Sequence, residues 1–187
     1  MDDFKKIIFE SNNIIKEKRY DFKFNGNLTE CKMQLSDKKK IQNGFGLFDS
    51  VLDVTQGGYA ISYGGDYLFT YGIEPCCGVV VYDNEKCILF HLDGFSLPQK
   101  VKQITDLFGF NNDSKVLICP GIMCGISGSF NYDVLEKIYI DAGYDTVINR
   151  INGTLGYISV SESSIKIGSA IQENEVFIER QAGLKKF

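Results

Sequence analysis

The feature that most restricts the fold is the occurrence of two pairs of short apolar runs after residue 57. In each pair, two runs rich in β-branched and aromatic residues flank a turn of Gly, Asp or Asn: Tyr59–Tyr63 and Tyr67–Tyr71 around Gly64-Gly65-Asp66, and Cys77–Tyr82 and Lys86–Leu92 around Asp83-Asn84-Glu85. Such segments predict antiparallel strands joined by tight turns. The chain is therefore expected to be built around two β-hairpins.

Two later segments have the period of a helix instead. Pro98–Phe108 carries proline near its first turn, and Asn131–Ala142 stops at Gly143, a favoured residue after a helix end. Further short apolar runs predict strands at Lys115–Cys119, Thr146–Ile151, Gly156–Val160, Ser164–Ile167 and Val176–Ile178. This order predicts an α+β fold, a layered β-sandwich of mainly antiparallel strands with two or three helices.

The first fifty residues are predicted to be an N-terminal extension that adds a helix and a hairpin. Asp3–Lys18 has apolar residues at helical spacing, and Asn25-Gly26 is a strong turn signal between Tyr20–Phe24 and Leu28–Leu35. With 187 residues and no linker-like composition, residues 1–187 are expected to form a single domain.

Charge and hydropathy restrict the function. A net charge of −4 argues against general binding to nucleic acids, and no apolar run approaches the length of a membrane span. The start, Met1–Lys6, does not resemble a signal peptide. The expected location is cytoplasmic, or a host cytosol reached without a cleaved signal peptide.

The six cysteines point to reduced thiols. Their spacing resembles no zinc motif, and one histidine is too few to complete one. Most lie in or beside apolar runs, where free thiols behave as small hydrophobic residues. Neither a metal nor an organic cofactor is expected.

The only histidine lies in the second hairpin, where the register decides which thiol it meets. A loop of Asp83-Asn84 places Cys76 directly opposite His91, the arrangement favoured here. A loop of Asn84-Glu85 keeps both residues on one face but diagonally offset. A three-residue loop would bring Cys77 opposite His91 instead.

A Cys–His pair has both a chemical and a structural interpretation. An imidazolium beside Cys76 would lower its pKa below the usual value of about 8.5 and hold a reactive thiolate. His91 would then protonate the leaving group. Pro75 would expose the thiol at a strand end, as suits a folded protein target. The structural alternative is a hydrogen-bonded core histidine beside a cysteine used for packing.

Thr70, Cys76 and His91 together resemble the Thr/Cys/His triad of the chemoreceptor glutamine deamidase family, CheD. The core is also similar to those of the cytotoxic necrotizing factor catalytic domain and Burkholderia lethal factor. The threonine stands six positions before the cysteine, as in CheD. Later segments continue the likeness over residues 57–168: Val116–Met123, Asn131–Leu135, Asn152–Val160 and Ile165–Ile167.

The resemblance implies a protein glutamine deamidase, of the kind found among bacterial effectors and toxins. It implies that Cys76 is the nucleophile, His91 the base and Thr70 the residue that orients the base. The expected partner is a folded protein with an exposed glutamine. A transglutaminase with the same core, and a binding module that keeps the fold without chemistry, stay open as alternatives.

The approach to the nucleophile departs from the family pattern. Where the family has a Leu-x-x-Cys motif built from Gly and Ser, this chain has Ile73-Glu74-Pro75-Cys76. Proline has no N–H, so the oxyanion donor is expected to be the backbone of Cys77, or that of Cys76. The charge of Glu74 would oppose thiolate formation unless it points away.

Overall fold

The computed structural model describes residues 28–31, 50–63, 66–126, 129–161, 164–169, 171 and 173–177. Within these ranges the chain forms β-strands and two α-helices. The helices are α1 (Pro98–Leu107) and α2 (Tyr132–Asp141). The strands are β1 (Thr29–Glu30), β2 (Ser50–Asp53), β3 (Gly58–Ser62), β4 (Asp66–Tyr71), β5 (Cys77–Tyr82), β6 (Cys87–Leu92), β7 (Lys115–Pro120), β8 (Asp145–Ile148), β9 (Tyr157–Val160), β10 (Ser164–Gly168) and β11 (Glu173–Phe177).

The strands form two mixed sheets. One has six strands in the order β1-β3-β6-β5-β7-β8, and the other has five in the order β11-β10-β9-β4-β2. Antiparallel pairing dominates; β1–β3, β2–β4 and β7–β8 are the parallel pairs. The predicted α+β layered sandwich is thus confirmed.

The six-stranded sheet is the middle layer, with an apolar core on each side. The intersheet core fills the space between the two sheets and includes Leu68, Val80, Leu89 and Ile158. The helix-side core packs the opposite face against α1 and α2 and includes Phe90 and other aromatic residues. Because β5 and β6 are covered on both faces, they read as continuous apolar runs rather than as alternating ones.

Both predicted helices are confirmed, and a buried hydrogen bond joins them. Thr105 Oγ1 in α1 lies 2.7 Å from the Tyr139 hydroxyl in α2. Asn131 caps α2 by accepting a hydrogen bond from the Val134 N–H at 3.3 Å, as expected for an N-cap residue. Gly143, just after the helix, has φ +83°, a left-handed conformation that favours glycine.

One predicted hairpin is wrong. The segments Tyr59–Tyr63 and Tyr67–Tyr71 correspond to β3 and β4, but these strands lie in different sheets: β3 pairs with β1 and β6, whereas β4 pairs with β2 and β9. The chain crosses between layers here, since Ala60 and Leu68 face the same intersheet core. A sequence pattern of strand, turn and strand does not distinguish a crossing from a hairpin.

Several predictions lie outside the described residues: the helix at Asp3–Lys18, the turn at Asn25-Gly26 and the residues Gly64 and Gly65. From the predicted N-terminal extension, β1 is described, and it adds a parallel edge strand beside β3. Neither described helix has the length and apolar character needed to cross a bilayer.

Candidate active site

The register of the β5–β6 hairpin differs from the favoured one. Gly78 pairs with His91 and Cys77 with Leu92, so Cys76 is diagonally offset from His91 rather than directly opposite. The loop is Asn84-Glu85, the second of the registers considered above. Diagonal neighbours in a sheet are about 7–8 Å apart at the backbone, so their contact depends on side-chain reach.

Asp83 fixes this register. Its N–H donates to the Lys86 carbonyl at 3.0 Å and closes the two-residue loop. Its side-chain Oδ1 also accepts from the N–H groups of Glu85 and Lys86, at 2.8 and 2.9 Å. The aspartate therefore serves as the last paired residue before the loop, and not as a loop residue.

Cys76 and His91 face the core between the sheets. Cys76 belongs to the intersheet core and Cys77 to the helix-side core, as strand alternation requires. His91 pairs with Gly78, which has Ile158 of the intersheet core over its face, so the imidazole and the Cys76 thiol share this side of the sheet. The structure thus separates Cys76 from Cys77.

Glycine flanks His91 on both neighbouring strands, with Gly58 paired to it on β3 and Gly78 on β5. A Cβ at Gly78 would stand 2.0 Å from Ile158 Cδ1, and one at Gly58 would stand 2.6 Å from Cys31 Sγ. The histidine therefore has no cross-strand side chain directly beside it in either direction. Its hydrogen-bonding partner comes from the other sheet.

That partner is Thr70 on β4. Thr70 Oγ1 lies 2.8 Å from His91 Nδ1 and 2.6 Å from the Val54 carbonyl oxygen. The carbonyl can only accept, so the single hydroxyl proton of Thr70 is donated to Val54. The same oxygen must then accept from Nδ1, which fixes the His91 tautomer with its proton on Nδ1. Thr70, predicted to orient His91, lies at the position that this role requires.

The other ring nitrogen, Nε2, then carries a free lone pair. His91 is 4% exposed, and within the described ranges Nε2 has no hydrogen-bond partner. Burial lowers the pKa of His91 to about 4, against the smaller opposing effects of the Asp93 charge and the Val54 carbonyl. A buried acceptor left without a donor costs about 1–3 kcal/mol. A ring held in place with its basic nitrogen free is what a general base requires.

The thiol of Cys76 is more protected than the sequence suggests. Cys76 is 4% exposed, so the expected shallow, exposed thiol is wrong. Burial, with smaller contributions from the Asp93 and Cys124 charges, raises the pKa of Cys76 to about 12. The expected imidazolium-activated thiolate is therefore absent at neutral pH. The resting pair is a neutral thiol and a neutral imidazole, because the space between the sheets disfavours either charge.

The loop that carries Cys76 is fastened on both sides by glycine segments. The Gly121 N–H donates to the Cys76 carbonyl at 3.0 Å, and the Ile73 N–H donates to the Gly156 carbonyl at 3.1 Å. A Cβ at Gly121 would stand 2.5 Å from the Glu74 carbonyl oxygen, and one at Gly156 would stand 2.4 Å from that of Ile73. Both positions thus require glycine for a close backbone approach.

Glu74 is held by the loop before β9. Its Oε1 accepts from the Leu155 N–H at 2.9 Å, and Leu155 adopts a left-handed φ of 55° there. The carboxylate that interrupts the family pattern therefore has a structural partner at the rim of the site. The main effects on the Cys76 pKa come from burial, Asp93 and Cys124.

The predicted oxyanion donor, Cys77, lies inside β5. Hydrogen-bonded pairs alternate along an antiparallel ladder, and Asp83 donates to Lys86 at the loop end. Counting back in steps of two makes Cys77–Leu92 a pair of the same type, so its N–H is directed at Leu92. Cys76 precedes the first residue of β5, which makes its own N–H the better-placed donor.

Asp93 was not among the site residues predicted from the sequence. It follows β6, and continuing the β5–β6 register one residue past Cys77–Leu92 places it across from Cys76. Its charge acts on both Cys76 and His91. The signal was available in the sequence, since residues two apart on a strand share a face and His91 and Asp93 are two apart.

All six cysteines are free thiols. In the described part of the chain, no three His, Cys, Asp or Glu side chains converge in a way that could hold a metal ion. The groups available for chemistry at this site are therefore a thiol, an imidazole, a hydroxyl and a carboxylate.

No protein-family model matches the chain. No curated protein matches it either. A solved structure that it resembles is a Neisseria meningitidis protein described as DUF152, with 15% identity and a TM-score of 0.42 over 60% of this chain. The match covers 66% of that protein, just under two thirds of its length. A likeness this distant supports no conclusion about the site.

Proposed function

We propose that this protein is a cysteine-dependent protein glutamine deamidase, related to the CheD-type deamidases, with Cys76 as nucleophile, His91 as base and Thr70 as the residue that orients the base. The observation that carries the proposal is His91 Nε2. A histidine kept only for packing would have both ring nitrogens satisfied. Here Thr70 satisfies Nδ1, while the described part of the chain gives the buried Nε2, on the face it shares with Cys76, no hydrogen-bond partner.

The proposed reaction begins from the neutral pair. As the Cys76 sulfur attacks the carboxamide carbon, His91 Nε2 accepts the thiol proton, and the tetrahedral oxyanion takes the Cys76 N–H as a donor. Nε2 then returns the proton to the NH2 group, which leaves as ammonia. The resulting thioester is hydrolysed by a water that His91 deprotonates, and the proton returns to the Cys76 sulfur. The net change is Gln plus water to Glu plus ammonia.

The ordering of proton transfer follows from the pKa values. With the Cys76 pKa raised to about 12 and the His91 pKa lowered to about 4, a separated ion pair is unfavourable before substrate binds. Proton transfer is therefore expected to accompany sulfur attack instead of preceding it. Thr70 supports this step, because its hydroxyl oxygen accepts a hydrogen bond from Nδ1–H. That hydrogen bond stabilises the imidazolium that forms when Nε2 takes the thiol proton.

A protein substrate is supported by the surroundings of Cys76. The loop after β7 bonds to Cys76 through the Gly121 N–H, the loop before β9 bonds to Ile73, and the loop after β6 follows Leu92, the partner of Cys77. Each loop carries a large apolar side chain in solvent: Phe95 is 61% exposed, Met123 50% and Leu155 51%. Where such side chains form a contiguous patch, they are typical of surfaces that contact another macromolecule.

The proposal is tested by incubating the protein with cell lysates and searching tryptic peptides for a Gln-to-Glu mass gain. The variant Cys76→Ser is the matched control, since it keeps the volume of the side chain and removes the nucleophile. The expected result is a small set of glutamines converted only by the wild-type chain. The same conversions with Cys76→Ser, or none with either protein across several lysates, contradict the proposal.

Transglutamination is the second candidate, because an amine in place of water would react with the same thioester. A primary amine added to the assay distinguishes the two reactions. A deamidase yields Glu at the same rate with or without the amine, whereas a transglutaminase yields the amine adduct. If wild type and Cys76→Ser leave the same peptides in the lysate and give the same cellular phenotype, the remaining interpretation is a binding module that keeps the fold.

A further inference from the structure

We infer that Asp93 determines the specificity of the proposed deamidase. Its carboxylate accepts a hydrogen bond from the NH2 group of the substrate carboxamide beside Cys76, and it repels the carboxylate of the product. The inference rests on the proposed function, and it adds a role to a residue outside the Thr70–His91–Cys76 set.

The position of Asp93 is the first observation. Gly78 pairs with His91 and Cys77 with Leu92, where the paired register ends; continuing it by one residue places Asp93 across from Cys76. Directly opposed residues have Cβ atoms about 4.5–5.5 Å apart. A carboxamide carbon attacked by the Cys76 sulfur would therefore have its substituents within reach of the Asp93 side chain.

The two carboxylate oxygens are used unequally. Oδ1 accepts from the N–H groups of Phe95 and Ser96, both at 3.0 Å, and from Ser96 Oγ at 2.9 Å. Among the described residues, Oδ2 has one hydrogen-bond contact, 3.4 Å from Gln56 Nε2, and it lies beside the start of β3, where a Cβ at Gly57 would stand 3.6 Å from it. Oδ1 thus anchors the side chain in the turn after β6, and Oδ2 keeps free acceptor capacity. An anchored carboxylate with one open oxygen is suited to receive an N–H donor.

The chemistry of the reaction gives this oxygen a use. The substrate carboxamide presents two N–H donors, and the product carboxylate presents none and carries a negative charge. An anion at Oδ2 therefore attracts the substrate and opposes retention of the product. Since the Asp93 charge is the charge that acts most strongly on both Cys76 and His91, it lies close enough to act on a group bound between them.

A pair of alkylating agents tests the inference without the unknown target. Iodoacetamide carries a carboxamide and iodoacetate a carboxylate, and both alkylate thiols. The rate at Cys76 is measured for each by peptide mass spectrometry on the full chain at pH 9, relative to the rate with glutathione. We expect Cys76 to favour iodoacetamide over iodoacetate by roughly tenfold more than glutathione does, a size consistent with one nearby charge.

The variant Asp93→Asn is expected to remove most of this preference. Asparagine keeps an Oδ1 acceptor for the turn, so its hydrogen bonds with Phe95 and Ser96 remain available. The matched control is Asp83→Asn, the same substitution in a similar turn at the opposite end of the β5–β6 hairpin. It is expected to keep the wild-type preference. An equal preference in Asp93→Asn and wild type overturns the inference.

A second assay separates this inference from the proposed function. Ammonia release is followed from a blocked glutaminyl-glycine dipeptide, with the corresponding glutamyl dipeptide as inhibitor. Asp93→Asn is expected to raise KM about tenfold and to strengthen inhibition by the glutamyl peptide. If the wild type converts no glutamine in the lysates while the alkylation preference depends on Asp93, the deamidase proposal fails and the carboxamide selectivity stands. If ammonia is released and neither KM nor inhibition changes in Asp93→Asn, the inference is overturned.

Discussion

Thr70 and His91 belong to different sheets, and the 2.8 Å contact between Thr70 Oγ1 and His91 Nδ1 crosses the core that separates them. Because Thr70 gives its only proton to Val54, this contact also decides which nitrogen of His91 is basic. The position and the protonation of the ring are thus set by one hydroxyl group.

Thr70→Val is expected to lower the rate of ammonia release by about 10- to 100-fold, because the imidazole is no longer held in one tautomer. It should also reduce the free energy of unfolding by about 1–3 kcal/mol, since Nδ1 and the Val54 carbonyl lose a buried partner. Thr70→Ser keeps the hydroxyl and should retain most activity. As the chain has one histidine, nitrogen-15 NMR reads its tautomer directly. An Nδ1–H tautomer that persists in Thr70→Val would contradict this interpretation.

Stability should fall as pH is lowered from about 6.5 to about 4. Burial lowers the pKa of His91 to about 4 in the folded chain, so in this window the unfolded chain binds a proton that the folded chain does not. The contribution present above the unfolded pKa is lost as pH falls, with a total of roughly 3 kcal/mol. The measurement is chemical unfolding of wild type and His91→Gln at several pH values. The difference between them should follow this window, and a difference independent of pH would show that His91 titrates normally.

Cys76 is expected to be alkylated slowly in the resting protein. Its pKa is raised to about 12 and it is covered, whereas Cys31 is half-buried. At pH 7, iodoacetamide should therefore label Cys31 before Cys76, with mass spectrometry of the two peptides as the readout. Labelling of Cys76 ahead of Cys31 would indicate a resting thiolate–imidazolium pair, the state expected from the sequence.

Gly121→Ala is expected to displace the loop that carries Cys76. The added Cβ would meet the carbonyl oxygens of Ile73 and Glu74 at 2.4 and 2.5 Å, and backbone atoms cannot rotate away. A loss of about 1–3 kcal/mol is expected in the free energy of unfolding, with a larger relative loss of ammonia release. The control is Gly72→Ala in the same loop. Its added Cβ meets no atom within 4 Å, so it strains the left-handed backbone at φ +74° without a steric clash. Equal activity in Gly121→Ala and wild type would show that the close approach is not needed.

The sequence predicted the layers of this fold well, because the spacing of apolar residues in helices and strands and the positions of glycines are local signals. The helices at Pro98–Leu107 and Tyr132–Asp141 follow from spacing alone. The pairing of strands was harder to predict. After β3 the chain can form a hairpin or cross to the other sheet. The outcome depends on which distant strands pair with β3 and β4.

The site shows the same division between local and distant information. The shared face of Cys76 and His91 follows from alternation along a hairpin, and two of the registers considered preserve it. The register in the structure depends on a single aspartate, Asp83, which pairs with Lys86 rather than turning the chain. The protonation of the thiol was not predictable, because the depth of burial that raises the Cys76 pKa is created by the other sheet. The catalytic roles of Cys76, His91 and Thr70 stay predictions, whereas the Cys77 N–H, directed at Leu92, is replaced by the Cys76 N–H as the proposed oxyanion donor.

A covered and protonated sulfur has a consequence for how long the protein survives. Peroxides and other cellular oxidants attack thiolates far faster than thiols, and they convert exposed low-pKa cysteines to sulfenic acid and beyond. In the proposed mechanism the Cys76 sulfur gives up its proton only during substrate attack, so the resting thiol is protected from this oxidation. The burial of Cys76 therefore lowers the reactivity of the resting thiol and raises its resistance to oxidation.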